Sequence, residues 1–416
     1  MKEPKIRFKG FRGKWEESTL GKISTSYNYG INAAAIQYDG TNKYLRITDI
    51  DENTRMFSQE DLTSPDTDLS CCNDYLLEDG DITIARTGAS VGKSYIYHLS
   101  DGKVYFAGFL IRTRLNENVD KDYVFYSTLT DKYAKYIRLV SQRSGQPGVN
   151  IEELKGYTFN LPCDKAEQQS IASYFQHLDA LIQSTTKKIE SLKQVKAASL
   201  QSMFPQEGET TPRVRFKGFE GEWEKVLIGK MGVTYSGLSG KTKDDFGFGE
   251  ARFITFLNVL TNAKIDTSIL EPVNVNRDEH QNEVRKGDLL FNTSSETPEE
   301  VGMCAVMDEK LENVYLNSFC FGFRVTDNNI DPTCVAYMMR SHIGRRIMSI
   351  LAQGATRYNL SKNSFCKAVL VLPKNIAEQR AIASYFTTLD RQITLQTQRL
   401  EKLKQIKAAC LDKMFV

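Results

Sequence analysis

The chain repeats itself. PKIRFKGFRGKWEE at residues 4 to 17 returns as PRVRFKGFEGEWEK at residues 212 to 225. AEQQSIASYFQHLDALI from Ala166 returns as AEQRAIASYFTTLDRQI from Ala377, and IESLKQVKAASLQSMF from Ile189 as LEKLKQIKAACLDKMF from Leu400. Matches this long make the two halves structural equivalents, and 416 residues are too many for one ordinary core, so two domains of like fold are expected.

Between these anchors the halves diverge and keep only an echo. EDGDITIARTG around Asp81 stands against RKGDLLFNTSS around Asp288, and LPCDKAEQ against LPKNIAEQ. A repeated frame holding different inserts suits two distinct recognition surfaces. A duplicated enzyme would more often keep its chemistry in both copies.

After Trp15 and Trp223 come short β-type runs, YLRITDI, DITIAR, VYFAGFLIRTRL, FITFLNVL and CFGFRV, separated by Gly, Asn and Asp turns. The stretches from about Ala166 to Phe204 and Ala377 to Phe415 contain no Pro or Gly and predict one long helix each. Leu178, Ile182, Ile189, Leu192, Val195 and Met203 in the first, with Leu389, Ile393, Leu400, Leu403, Ile406 and Met414 in the second, form apolar stripes at three-and-four spacing. Thr185 and Lys196 interrupt a strict heptad. Two matching stripes predict that the helices pack on one another, antiparallel, about a pseudo-dyad within the chain. Packing of each helix on its own domain is the alternative.

The expected fold is therefore α+β: two mixed α/β domains joined by two long antiparallel coiled-coil helices with internal pseudo-two-fold symmetry. The expected divisions are residues 1–163, the helix 164–205, a linker 206–211, residues 212–373 and the helix 374–416. Each helix would be about 57 Å long at about 1.5 Å per residue. The dyad also brings Phe415 near Pro4, so joining the ends and opening the chain near Glu207 should leave a folded protein.

Composition and motifs narrow the function. The start, MKEPKIRFKG, has no signal-peptide core, and no stretch approaches the roughly 18 apolar residues of a membrane helix, which predicts a cytoplasmic protein. Eight cysteines without a CxxC pair, and only four histidines, predict reduced structural thiols and no metal site. TGASVGKS at residues 87 to 94 has three residues between Gly88 and Gly92 where a phosphate-binding loop needs four. Asp66, Asp101 and Lys103 imitate a nuclease pattern only faintly, and the base-gripping loop of an adenine methyltransferase is missing. His98, His177, His280 and His342 have no partnered nucleophile. No catalytic residue is assigned.

The repeated AEQxxIASYFxxLDxxI, the ends KAASLQSMF and KAACLDKMF, the openings RFKGFxGxWE, and SGQPGVNIEELKGYTFNLP from Ser144 together resemble the specificity subunits of type I restriction-modification enzymes. The resemblance covers essentially the whole chain. The second counterpart of the last motif, QGATRYNLSKNSFCKAVLVLP, keeps Asn359, Leu360 and the final Leu-Pro. The resemblance implies two target-recognition domains, each binding one half of a bipartite double-stranded DNA target, with helices that fix the unread spacer. It also implies two modification (methyltransferase) subunits docked on the helices and separate restriction (translocase and nuclease) subunits. S-adenosylmethionine, ATP and Mg2+ are then expected in those partners and no cofactor in this non-catalytic chain. An interaction protein whose coiled coil organises partners without reading DNA is the competing reading.

Base reading needs side chains of fixed donor and acceptor geometry on loops that enter the major groove. Arg86, Thr87, Lys93, Gln142, Arg143, Ser144, Gln146 and Asn150 fit this in the first domain, clustered in two glycine-containing segments. Asn292, Thr293, Ser294, Gln353, Arg357, Tyr358 and Asn359 occupy the matching stretches of the second. Solvated turns and a helix cap at Asn359 would explain these residues equally simply. Ala172, Ser173 and Tyr174, repeated as Ala383, Ser384 and Tyr385, are candidates for a docking ledge for modification subunits, or for core packing at the helix base. The helix lysines Lys187, Lys188, Lys193, Lys196, Lys402, Lys404 and Lys407 could face spacer phosphates or keep a coiled coil soluble.

Overall fold

A computed structural model describes residues 3–143, 145–276 and 278–416. It divides into two compact units, residues 1–187 with 397–416, and residues 188–396. The divisions fall inside the two long helices, Lys165–Ser202 and Ile376–Met414, which begin and end within two residues of the stretches read from composition. Each unit thus combines one mixed α/β domain with a stretch of both helices.

In the first unit a four-stranded antiparallel sheet runs Ser24–Tyr29, Leu110–Leu115, Ile82–Ala85, Ser94–Ile96. The second unit has Gly232–Ser236, Cys320–Val325, Leu289–Asn292, Cys304–Val306 in the same order. Each is flanked by a parallel pair, Lys43–Leu45 with Val104–Phe106 and the end of Phe246–Ile254 with Val314–Leu316. The central strands are apolar on both sides because both faces are covered. Leu289 and Phe291 point to a core with Phe365 and Tyr337, while Leu290 points to one with Ile254 and Val259. Ile82 and Ile84 face Tyr123 and Val124, and Ala85 faces Leu45 and Val104.

Three of the β-type runs are interrupted. VYFAGFLIRTRL breaks at Ala107 into two strands, and YLRITDI turns into a 3-10 helix at Ile47–Asp49. FITFLNVL is extended only to Ile254; the Thr255 hydroxyl then accepts the N–H of Asn258 and starts a helix, Phe256–Thr261. An apolar run of this length does not tell strand from helix, and here the cap decides. The helices Lys121–Ser127 and Asp131–Val140, with their equivalents Pro332–Arg340 and His342–Leu351, went unread in the sequence.

The long helices pack antiparallel in both units. In the first, Tyr174 lies against Cys410 (Oη to Sγ 3.4 Å) and Asp179 against Lys407 (2.5 Å). In the second, Ser199 Oγ meets Tyr385 Oη at 2.9 Å and Lys196 meets Asp390 at 2.5 Å. Most of the stripe is inward, with Leu178, Ile189, Leu192, Leu389, Leu400 and both terminal methionines buried. Val195, expected in the stripe, is 44% exposed, and Thr185, expected to interrupt it, is 4% exposed. Thr185 can be buried because its hydroxyl donates to Leu181 O one turn back, at 2.7 Å. The end of the C-terminal helix meets the start of the chain, with the Ile6 N–H donating to Lys413 O at 3.0 Å; the matching bond, Val214 N–H to Ser202 O, is also 3.0 Å.

Candidate nucleic-acid interface

The repeated motifs build the frame that holds the loops. In AEQ, the buried Glu167 receives a two-pronged Arg7 guanidinium at 2.6 and 2.8 Å, and Glu378 receives Arg215 at the same two distances. Gln168 accepts from the N–H of Asp120 and donates to Pro162 O; Gln379 accepts from Asp331 N–H and donates to Pro373 O. Each helix is thereby locked to both ends of its domain. The LD aspartates, Asp179 and Asp390, accept from Tyr126 and Tyr337 at 2.9 and 2.8 Å, and burial with these carboxylates pushes both phenols far up.

The Gly-Asp echo is structural too. Gly80 and Gly287 hold positive φ, and the following aspartates, 2% and 1% exposed, cap their own turns by accepting the N–H groups of Glu78 and Arg285. Arg114 grips Asp81 through two bonds of 2.9 and 2.8 Å, and Arg324 grips Asp288 through bonds of 3.0 and 2.7 Å. These pairs join neighbouring strands and raise both guanidinium groups, first by the hydrogen bond to the aspartate.

From this frame each unit extends two loops that touch. In the first, Gly88 N–H donates to Pro147 O at 2.9 Å and Val149 N–H to Arg86 O at 2.8 Å. In the second, Leu360 N–H donates to Thr293 O at 2.9 Å, and Ser294 pairs with Asn359. The same two sequence segments, 59 residues apart from Gly88 to Pro147 and 67 from Thr293 to Leu360, are brought together in both units. Arg345, sunk behind the second pair and lowered by burial to about 10, pins the carbonyls of Glu299 and Gly302.

Gln142, Arg143, Gln146, Asn150, Gln353, Arg357 and Asn359 are exposed on these loops, with Arg86, Thr87, Thr293 and Tyr358 half-buried. Arg86 lies over the Tyr29 ring at 4.7 Å, and Arg143 is partly engaged by Glu153. Ser144 lies outside the described residues. Three candidates are turned inward, contrary to expectation. Lys93 is 7% exposed and its ammonium is spent on Ile50 O and Glu52. Asn292 is fully buried, donating to Ser294 O and Glu300 O and accepting from Met303 N–H, and Ser294 is 7% exposed. Lys93 leads into the strand Ser94–Ile96, not the helix that a phosphate loop needs.

Asn150 caps the helix Ile151–Lys155, and its counterpart is Ser361, which opens Lys362–Cys366, not Asn359. On the helices, Ala172 and Ala383 are buried in the cores and Tyr174 and Tyr385 are bonded across the helix pair, so only Ser173 and Ser384 of the expected ledge are exposed. Lys196 and Lys407, with side chains 25% and 14% exposed, bridge to the aspartates of the opposite helix.

A cavity of about 840 Å³ in the first unit is lined in part by Arg55, Tyr95, His98, Asp122, Asp179 and Lys404. Burial pushes the Asp122 carboxyl up beside His98, 3.6 Å away. Among the described residues no group of three or more His, Cys, Asp or Glu could hold a metal, and no helix is long and apolar enough to cross a membrane.

The sequence model of the type I restriction modification DNA specificity domain matches the chain twice, over residues 12–194 and 221–405. The chain belongs to this family. It is 25% identical over 201 residues to a protein described as the type I restriction enzyme MjaX specificity subunit of Methanocaldococcus jannaschii, covering 47% of this chain and 45% of that protein. It is 25% identical over 186 residues to the type I restriction enzyme StySPI specificity subunit of Salmonella potsdam, covering 44% and 40%. The matched region spans less than half the length of either relative.

Among solved structures, the S subunit of a type I restriction-modification system from M. genitalium superimposes with a TM-score of 0.63 over 99% of both chains at 14% identity. A structure concerned with complex assembly and conformational transition of the type I R-M system gives 0.53, over 96% of this chain and 97% of that one, at 15% identity. At these identities the likeness is one of fold alone.

Proposed function

We propose that the two loop pairs read the two halves of a bipartite duplex target, that the helix pair holds the length of the unread spacer and carries two modification subunits, and that this chain supplies the address while its partners supply the chemistry. S-adenosylmethionine, ATP and Mg2+ belong, in this reading, to the modification and restriction subunits, and the assembly works in the cytoplasm. The observation that carries the reading is the pairing of a constant frame with inconstant loops. The sheet order, the Asp–Arg pairs and the helix locks are the same in both units, while the exposed and half-buried side chains at the matched loops differ: Arg86, Arg143 and Gln146 against Thr293, Arg357 and Tyr358. Arg offers two fixed donors to guanine and Gln or Asn a donor–acceptor pair to adenine, so these sets would select different bases.

The test is selection from randomised duplexes by this chain co-purified with its modification partner. A consensus of two short blocks separated by unselected positions is expected, and Arg357→Ala should relax one position of one block at a cost of about 1–3 kcal/mol. Recovery of duplexes with no consensus would overturn the proposal.

A further inference from the structure

Two large apolar side chains are left in water at one and the same place in both units. Phe109 is 62% exposed and Phe319 61%. The carbonyl of Phe109 accepts the N–H of Arg86 at 3.0 Å, and that of Phe319 accepts the N–H of Thr293 at 2.9 Å. The next residues, Leu110 and Cys320, pair with Ala85 and Asn292, the last strand residues before the candidate loops. The turns match as well, with Leu110 N–H donating to Ala107 O and Cys320 N–H to Asn317 O. Each phenylalanine therefore stands at the end of the sheet from which a reading loop departs.

A second pair accompanies them. Leu139 and Ile350, each 70% exposed, sit at the ends of the equivalent helices Asp131–Val140 and His342–Leu351, just ahead of Gln142 and Gln353. Single exposed apolar residues are common and need no explanation. A phenylalanine kept at the matched position of both units is another matter, because AGF and NSF share nothing else at that turn.

We propose, building on the DNA-reading function above, that Phe109 and Phe319 are wedge residues, one for each half-site, whose rings press on the base stack beside the base edges that the loops read. Two readers of different sequences can share only a contact that both sequences offer. Every base presents a π face, so an aromatic contact is tolerant of sequence, whereas an edge hydrogen bond is not. Apolar side chains pressed against or between base steps loosen the stack locally, which eases any later displacement of a neighbouring base. Polar loop residues then choose the site, and the ring makes the same contact at each.

The test uses the full chain co-purified with its modification partner and a duplex of the selected target carrying 2-aminopurine at successive positions. The unaltered protein should raise the fluorescence in both halves. Phe109→Ala should abolish the rise in one half only and weaken binding about 5- to 100-fold without altering the consensus. Phe319→Ala should do the same in the other half, and Phe109→Trp should retain the signal. Since both rings are exposed, thermal unfolding should be unchanged. Unchanged affinity and fluorescence would overturn the inference while leaving the DNA-reading function intact. So would a consensus altered at a single base, which marks an edge contact, or loss of co-purification with intact DNA binding, which marks a protein surface. Failure of the unaltered protein to select any consensus removes the DNA-reading function and this inference with it.

Discussion

At the scale of single residues, buried charge explains what the divergent middles still have in common. Asp288 is 1% exposed and satisfied by Arg324, the Tyr235 hydroxyl and the N–H of Arg285. Asp288→Ala would strand the Arg324 fork and the phenol together, and a loss of about 3–5 kcal/mol is expected from the measured cost of breaking a buried pair. Denaturant unfolding would check it: a loss under 1 kcal/mol would mean the Gly-Asp turn is held by its glycine alone. The turn and its aspartate were legible in EDGD and RKGD. The inward course of Lys93 was not, because a glycine-rich loop gives no periodicity from which to infer which side chains face in, nor was that of Asn292, which closes a strand buried on both faces where alternation is lost. Nor could the sequence pair Asn150 with Ser361, since the two residues are of unlike type and only Asn150 bonds its helix through its side chain. Phe109 passed unnoticed inside the run VYFAGFLIRTRL, which read simply as an apolar strand, and Phe319 just ahead of the run CFGFRV.

At the scale of elements, the long helices were the most legible parts, because thirty-odd residues without Gly or Pro leave little alternative. What charge would do there was not legible. Lys196, taken as a flaw in the heptad, and Lys407 each reach an aspartate on the opposite helix and lie over a tyrosine ring, Tyr337 or Tyr126. A lysine at a stripe position that meets a carboxylate fixes register, since sliding the helix by one turn would leave both charges half-buried and unmatched. A double-mutant cycle on Lys407→Ala and Asp179→Ala should give a coupling of about 1 kcal/mol in unfolding free energy; additivity within about 0.3 kcal/mol would remove the register role.

At the scale of the whole molecule, duplication predicted two like folds and one sheet order serves both, although the loops between the strands differ. The bond from Ile6 N–H to Lys413 O brings the two ends of the chain together just as Val214 and Ser202 are brought together at the linker. A permutant that joins residue 416 to residue 3 and opens at Glu207 should accordingly remain soluble and cooperative in thermal unfolding; an aggregated product would show that the linker does more than connect.

The composition of the two units also sets an order of events during synthesis. The unit formed by residues 188–396 is one unbroken stretch and can close as soon as it has left the ribosome. The other has to wait for residues 397–416, whose Phe415 stacks on Tyr123 and whose Met414 joins the core of Trp15 and Phe175. The domain translated first is thus the one completed last, and until then its Tyr123 and Phe175 stand uncovered by the segment that caps them. A nascent chain of this design depends on residues 397–416 arriving promptly.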